Sequence, residues 1–534
     1  MKRFLRIGGG CLVTAALLVA ALAGLTKVLE RKASYAKYAP FFAQEEDFDV
    51  LFMGSSHLLN SVFPMELWKD YGIVSYNFGG HGNQLATTYW VMENALDYTT
   101  PKLMVIDCFY LEYEMKTSMN FAQVHLSFDA FPLSRTKIRA AFDLLEDDAF
   151  HESWTLDMAQ RTRLNLLWDF AVYHDRWADL TEDDVDPAVT VEKGAESRIA
   201  ISTPNAPATV PYGSKLEGET VGVRYLRRMI EDCQARGIHV LLTYLPFPST
   251  EVDLKNAARV QDIAKEYGVG YIDFLSLPLL DDATDHYDPD SHLNPSGARK
   301  VTDYLGQYIK AHYDIPDRRQ DEAYKAWEED YRAYRDFQVS ALKEQETLEL
   351  YLMLLKSAHY DVEIQIMDPQ VWERPLFTEL MENLGAEQEG GLYVVRGKGA
   401  GETDTGETDT GEVTAGSGGQ GTDADAPATE GEGTEDRTPD TEGQGMTADT
   451  PYAEGQGTVS DTPYAEGQGL VSDTPYAEGQ GTVSDMPDAE GQGSGSADEG
   501  EICITVWDSE TGERLDGAVF SPSGRVGQEA EAGS

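Results

Sequence analysis

Cysteine and positive charge are what this 534-residue chain has least of. The four cysteines, Cys11, Cys108, Cys233 and Cys503, lie far apart in regions of different predicted structure, which suggests neither a disulfide framework nor a metal cluster. Cys11 does not mark a lipoprotein, because the apolar core follows it instead of preceding it. Only 42 basic residues stand against 93 acidic ones, a formal net charge of −51. The summed field repels phosphate, which excludes nucleic acid and an anionic membrane surface as natural partners. Much of the imbalance is local. Residues 399–500 carry about two dozen carboxylates against the single Arg437, and a twelve-residue repeat, TPYAEGQGTVSD, places prolines at 451, 463, 475 and 487. This composition cannot bury a core and is read as a disordered acidic spacer.

Charge is also missing from Ile7 to Thr26, directly after the basic start MKRFLR. About twenty apolar residues suffice to cross a ~30 Å hydrocarbon core. Residues 1–32 are therefore read as an uncleaved single-pass anchor, with a signal peptide cleaved near Ala21-Leu22-Ala23 as the alternative. Basic residues also follow the segment, at Lys27, Arg31, Lys32 and Lys37, so the orientation rests on export of the remainder.

What the chain does have is an α/β pattern. Short apolar runs at Phe48–Met53, Ile73–Asn77, Leu103–Phe109, His239–Tyr244 and Tyr271–Phe274 alternate with amphipathic stretches at Gln84–Leu96, Val221–Ala235, Asp253–Tyr267 and Ser296–Tyr313. This predicts a parallel sheet flanked by helices over residues 42–315. Residues 115–215 break the alternation and read as a mainly helical insertion with a loop-rich end. Residues 316–347 read as a solvated helical spacer. Residues 348–398 have the pattern helix, strand, helix, strand, and ICITVWDSETGERLDGAVF has the pattern of a hairpin. A lone hairpin is barely stable, so 348–398 and 501–522 are expected to form one small α+β domain split by the acidic repeats. A separate C-terminal motif is the alternative.

The chemistry-bearing residues lie where predicted strands end. DVLFMGSSHLLNS puts Ser56 after the first strand, at the start of a helix, where α/β sheets place ligands. YNFGGHGNQ is a glycine-rich turn after the second strand, able to bring backbone N–H groups close. DHYDPDSHLNPSGA places His292 in a polar loop before a helix. An acid, a histidine and a serine on strand-end loops are the parts of a triad. His57, His81 and Asn83 fall near the same site and are candidate substrate contacts. Convergence of His57, His81 and His292 on zinc is disfavoured, because cysteines and close His/Asp spacing are lacking. No metal is expected.

The order GSS, NFGGHGN, HLNPSGA resembles the SGNH/GDSL hydrolase superfamily over roughly residues 47–313. The resemblance implies an SGNH-type fold without a cofactor, with Ser56 as nucleophile and His292 as general base. It implies the backbone N–H groups of Ser56 and Gly82 as the oxyanion hole. Two departures stand out. The family's Gly-x-Asn-Asp block, whose Asn donates to the oxyanion, has no match in LMVIDCFYLEYE. The family's Asp three residues before the His is Pro289 here, flanked by Asp288 and Asp290, either of which could orient His292. Asp107 is a weaker candidate for a supporting role. The resemblance implies an exported, membrane-held esterase or O-acyltransferase acting on acyl groups, acetyl foremost, of cell-envelope glycans. Its partners would be that polysaccharide and, for transfer, a membrane-bound acyl donor protein. A catalytically inactive SGNH-like binding or scaffold module is the competing expectation.

Overall fold

The computed structural model describes residues 2–118, 120–145, 163–185, 190–397 and 500–528. The acidic repeats expected at 399–500 lie outside these residues except for the last, Gly500. The chain opens with helix α1 (Lys2–Leu29), within which Gly9–Leu29 is long and apolar enough to cross a membrane, with a mean hydropathy of 2.2. Its large side chains Leu12, Leu17 and Val19 stand exposed, as on a helix that is apolar all round. Helix α2 (Lys32–Phe42) follows and packs Tyr38 and Phe41 into the core.

Five strands form one parallel sheet: β1 (Val50–Met53), β2 (Ser75–Asn77), β3 (Leu103–Asp107), β4 (His239–Tyr244) and β5 (Gly270–Asp273). Their order is β2-β1-β3-β4-β5. Every residue of β1, β2 and β3 is buried, which is why β1 and β3 read as apolar runs and not as alternations. The crossovers include α3 (Ser56–Ser61), α4 (Pro64–Tyr71) and α5 (Leu85–Ala95). In the 115–215 region lie α6 (Phe121–Phe128) and α7 (Arg135–Leu144), followed by shorter turns. Helices α8 (Val221–Ala235), α9 (Glu251–Tyr267) and α10 (Pro295–His312) complete the layers. In this strand order the chain leaves β1 in opposite directions at β2 and β3, and the crevice at their carboxyl ends is where such sheets bind ligands.

Helix α11 (Ala326–Lys343) corrects the expectation of a solvated spacer. Trp327, Tyr331, Tyr334 and Leu342 are buried, Trp327 packs on Trp68 with centroids 5.4 Å apart, and its indole N–H donates to Gln44 Oε1 at 3.0 Å. The spacing 327, 331, 334 is a helical stripe that the abundant Glu, Asp and Arg mask in the composition.

A second sheet is antiparallel, in the order β11-β10-β9-β6-β8-β7. Its strands are β6 (Tyr360–Ile366), β7 (Glu387–Glu389), β8 (Leu392–Val395), β9 (Ile502–Asp508), β10 (Arg514–Ser521) and β11 (Gly524–Gln528). β9 runs beside β6 from Tyr360↔Asp508 to Ile366↔Ile502. The inward Val362 and Ile364 meet Ile504, Val506 and Phe520, together with Leu352 of α12 (Leu348–Leu354) and Phe377 and Leu380 of α13 (Phe377–Leu384).

Candidate active site

Ser55 caps α3: its backbone is extended and its hydroxyl accepts the His57 N–H at 3.3 Å. This cap turns the chain sharply at the end of β1, so Ser56 is the first helical residue. The turn is tight, since a Cβ on Gly54 would stand 2.8 Å from the Asp107 Cβ. From the other side of the crevice comes the loop between β5 and α10. Asn294 shapes it. The Asn294 carbonyl oxygen accepts the N–H groups of Ser296 and Gly297, and its amide donates to the carbonyls of Ala200, Thr284 and His286.

This loop carries His292 to Ser56, with Nε2 2.9 Å from the Ser56 Oγ. On the other side of the ring, Nδ1 lies 2.5 Å from Asp288 Oδ2. Asp288 is itself fixed, because its Oδ1 accepts the N–H groups of Asp290, Ser291 and His292 at 3.0, 2.7 and 3.2 Å. Partial burial alone would raise the Asp288 pKa. The His292 hydrogen bond and charge, with these backbone donors, instead hold it well below the usual carboxylate range. Asp290 turns outward and accepts the Asn205 amide at 2.6 Å. Of the two carboxylates left open by the sequence, Asp288 is therefore the one that meets the histidine.

The neighbours divide. His57 is buried at 3% exposure, stacked on Phe109 with centroids 3.9 Å apart, with Phe247 at 4.6 Å and His292 at 5.6 Å. Burial in this aromatic box, reinforced by His292, lowers its pKa to about 3 against the pull of Asp288, so it stays neutral. His81 instead pairs with Glu196, Nε2 to Oε2 at 3.0 Å. Asn83 is 3% exposed, and its carbonyl oxygen accepts the Ser127 hydroxyl at 2.9 Å, so its side chain braces the turn. Gly82 has φ +60°, and a Cβ there would lie 2.3 Å from Gln123 Oε1. No hydrogen bond among the described residues joins the Gly82 N–H to Ser56.

Sequence patterns missed how the tail of the insertion straps the site. The Glu196 N–H donates to Leu59 O on α3, Ser202 bonds the carbonyls of His286 and Tyr287, and the Asn205 N–H donates to Pro289 O. No motif marks these contacts, which are made mostly by backbone. Asp107, at the end of β3, is 1% exposed, and burial raises its pKa to about 7 against hydrogen bonds from the Leu245 N–H and the Ser55 hydroxyl. Beside the His57 aromatics opens a cleft of about 910 Å³, lined by Phe109, Tyr113, Phe247, Glu112, Asp290 and Ser291 among others.

No family model matches this chain, and no curated protein does. Among solved structures, the crystal structure of a Bacteroides fragilis protein named a "putative acylhydrolase" aligns over 51% of this chain and 94% of its own, at 13% identity and a TM-score of 0.25. A likeness that low decides neither fold nor activity.

Proposed function

We propose that the protein is a serine esterase or O-acyltransferase of the SGNH/GDSL type, held at the outer face of a membrane by α1. The observation that carries this reading is the relay Ser56 Oγ, His292 Nε2, His292 Nδ1, Asp288 Oδ2 at 2.9 and 2.5 Å. Those contacts are what general-base activation of a serine requires, the base itself being oriented by a third group. Ser56 Oγ attacks an acyl carbonyl while its proton passes to Nε2. The tetrahedral intermediate collapses, expelling the alkoxide, which takes that proton. A water or a glycan hydroxyl then gives its proton to Nε2 and attacks the acyl-enzyme, and Nε2 passes that proton to the departing Ser56 Oγ as the carboxylic acid or the new ester is released. Asp288 remains ionised and stabilises the imidazolium. The N–H groups of Ser56 and Gly82 are the proposed oxyanion donors. Acyl groups of cell-envelope glycans, acetyl foremost, are the proposed substrate, with a membrane-bound acyl donor protein where the reaction is transfer.

One observation favours a second reading, an inactive binding module: where an SGNH enzyme carries the donating Asn, the chain has Asp107, Cys108 and Phe109. Fluorophosphonate labelling of the full-length chain in detergent, with p-nitrophenyl acetate hydrolysis measured alongside, separates the two. Labelling that disappears in Ser56→Ala supports the enzyme. A folded wild-type chain that is neither labelled nor active supports the binding module.

A further inference from the structure

Outside the proposed catalytic site, one group of side chains among the described residues combines ligand chemistry, burial and unmet hydrogen bonding. Glu66 and Asp70 stand four residues apart on α4 and so share a helix face. His359, the residue before β6, reaches them from the antiparallel sheet. Glu66 is 7% exposed and His359 8%. His359 Nε2 lies 3.5 Å from Glu66 Oε2 and 3.4 Å from Asp70 Oδ1, and neither ring nitrogen makes a hydrogen bond.

These distances discriminate between two arrangements. A charge-assisted hydrogen bond between imidazolium and carboxylate closes to about 2.7–2.9 Å. Ligands held about 2.1 Å from a tetrahedral zinc stand roughly 3.4 Å from one another. The two separations from His359 match the edge of the tetrahedron, and the ligand atoms of all three residues, the two carboxylates included, lie within 4.8 Å of one another. The second oxygen of Glu66 is already oriented, since Oε1 accepts from Arg299 Nε at 3.3 Å, the Tyr334 hydroxyl at 3.1 Å and Gln338 Nε2 at 3.4 Å. Outer donors of this kind fix the carboxylates that bind metals, and here they leave Oε2 turned to the histidine. The nearby cation Lys69 is engaged elsewhere, 2.7 Å from Glu510 and over the Tyr331 ring.

We propose that Glu66, Asp70 and His359 form a zinc site that clasps the antiparallel sheet to α4, with water completing the coordination. One imidazole and two carboxylates are a donor set that zinc accepts.

The test uses the untagged full-length chain in detergent, stripped with a chelator, dialysed against zinc, desalted and measured by elemental mass spectrometry. His359→Ala, His359→Gln and Asp70→Asn are treated alongside, with circular dichroism as the check on folding and thermal unfolding run with and without zinc. The expected result is stoichiometric zinc and a zinc-dependent rise in Tm for the wild type, both lost in folded variants. If His359→Ala fails to fold, the near-isosteric Asp70→Asn carries the comparison. A wild-type chain that retains no zinc, or folded variants that retain as much as the wild type, overturns the proposal.

Discussion

Two loops flank Ser56, and they are built differently. In the His292 loop the polar groups turn toward one another and toward the serine, with Asp288 holding three backbone N–H groups and the ring while Asn294 holds five backbone groups. In the glycine turn the polar side chains pair elsewhere: His81 with Glu196 and Asn83 with Ser127. The half proposed for proton transfer is thus held in place by hydrogen bonds within the chain. The half that would receive the oxyanion offers backbone alone, a weaker sequence signal because any residue type carries an N–H.

The sharpest way to break this contrast is to remove the relay. Ser56→Ala and His292→Ala are each expected to lower kcat for p-nitrophenyl acetate by about 10⁴–10⁶-fold. Retention of activity by either would end the triad reading. Next in size, Asp288→Asn is expected to cost about 10³–10⁴-fold, while Asp290→Asn stays within about threefold. Equal losses would mean that the loop shapes the site only as a whole. Gly82→Ala tests the other loop. It must hold φ +60° and push against Gln123, and a displaced oxyanion donor costs up to about 10²–10³-fold. A change below twofold in kcat/KM would remove the turn from catalysis.

The floor between the loops is expected to respond to pH. The Asp107 pKa is raised to about 7 from an ordinary value near 4, so its contribution to stability is full below pH ~4 and is lost as pH rises through about 7. A shift of that size is worth on the order of 4 kcal/mol. Asp107→Asn is therefore expected to be stabilising relative to wild type at pH 8 and near neutral in effect at pH 4, as read from urea midpoints. An effect that does not change with pH would show that the Asp107 pKa is the same in the folded and unfolded chain. Smallest of all, His81→Ala is expected to alter kcat by less than about threefold, because its partner Glu196 is anchored through its own backbone to α3.

How much of this could be read from residue order depends on where each partner lies in the chain. The parallel strands were legible because burial of the inner strands makes them short apolar runs, although β5 is only partly buried. The meeting of Ser56 with His292 could be anticipated because each sits in a compact local motif at a strand end. The choice between Asp288 and Asp290 was not, since it turns on how the loop folds back and on Asn205, 85 residues from Asp290 in sequence. The bracing role of Asn83 depends on Ser127, and the grouping of Glu66 and Asp70 with His359 spans nearly three hundred residues. Helix α11 is obscured for another reason. Its apolar stripe of Trp327, Tyr331 and Tyr334 is set among so many charged residues that composition points to solvent while spacing points to the core.

The central position of β9 sets a schedule for biogenesis. β6 pairs with β8 on one side and with β9 on the other, and β9 begins more than a hundred residues after β8 ends. At a synthesis rate of about 5–20 residues per second, the edge of β6 waits roughly 5–20 s for its neighbour. An edge with Val362 and Ile364 behind it is a template for any passing strand over that interval. The chain therefore completes this sheet, and shelters that edge, only when residues 502–528 emerge.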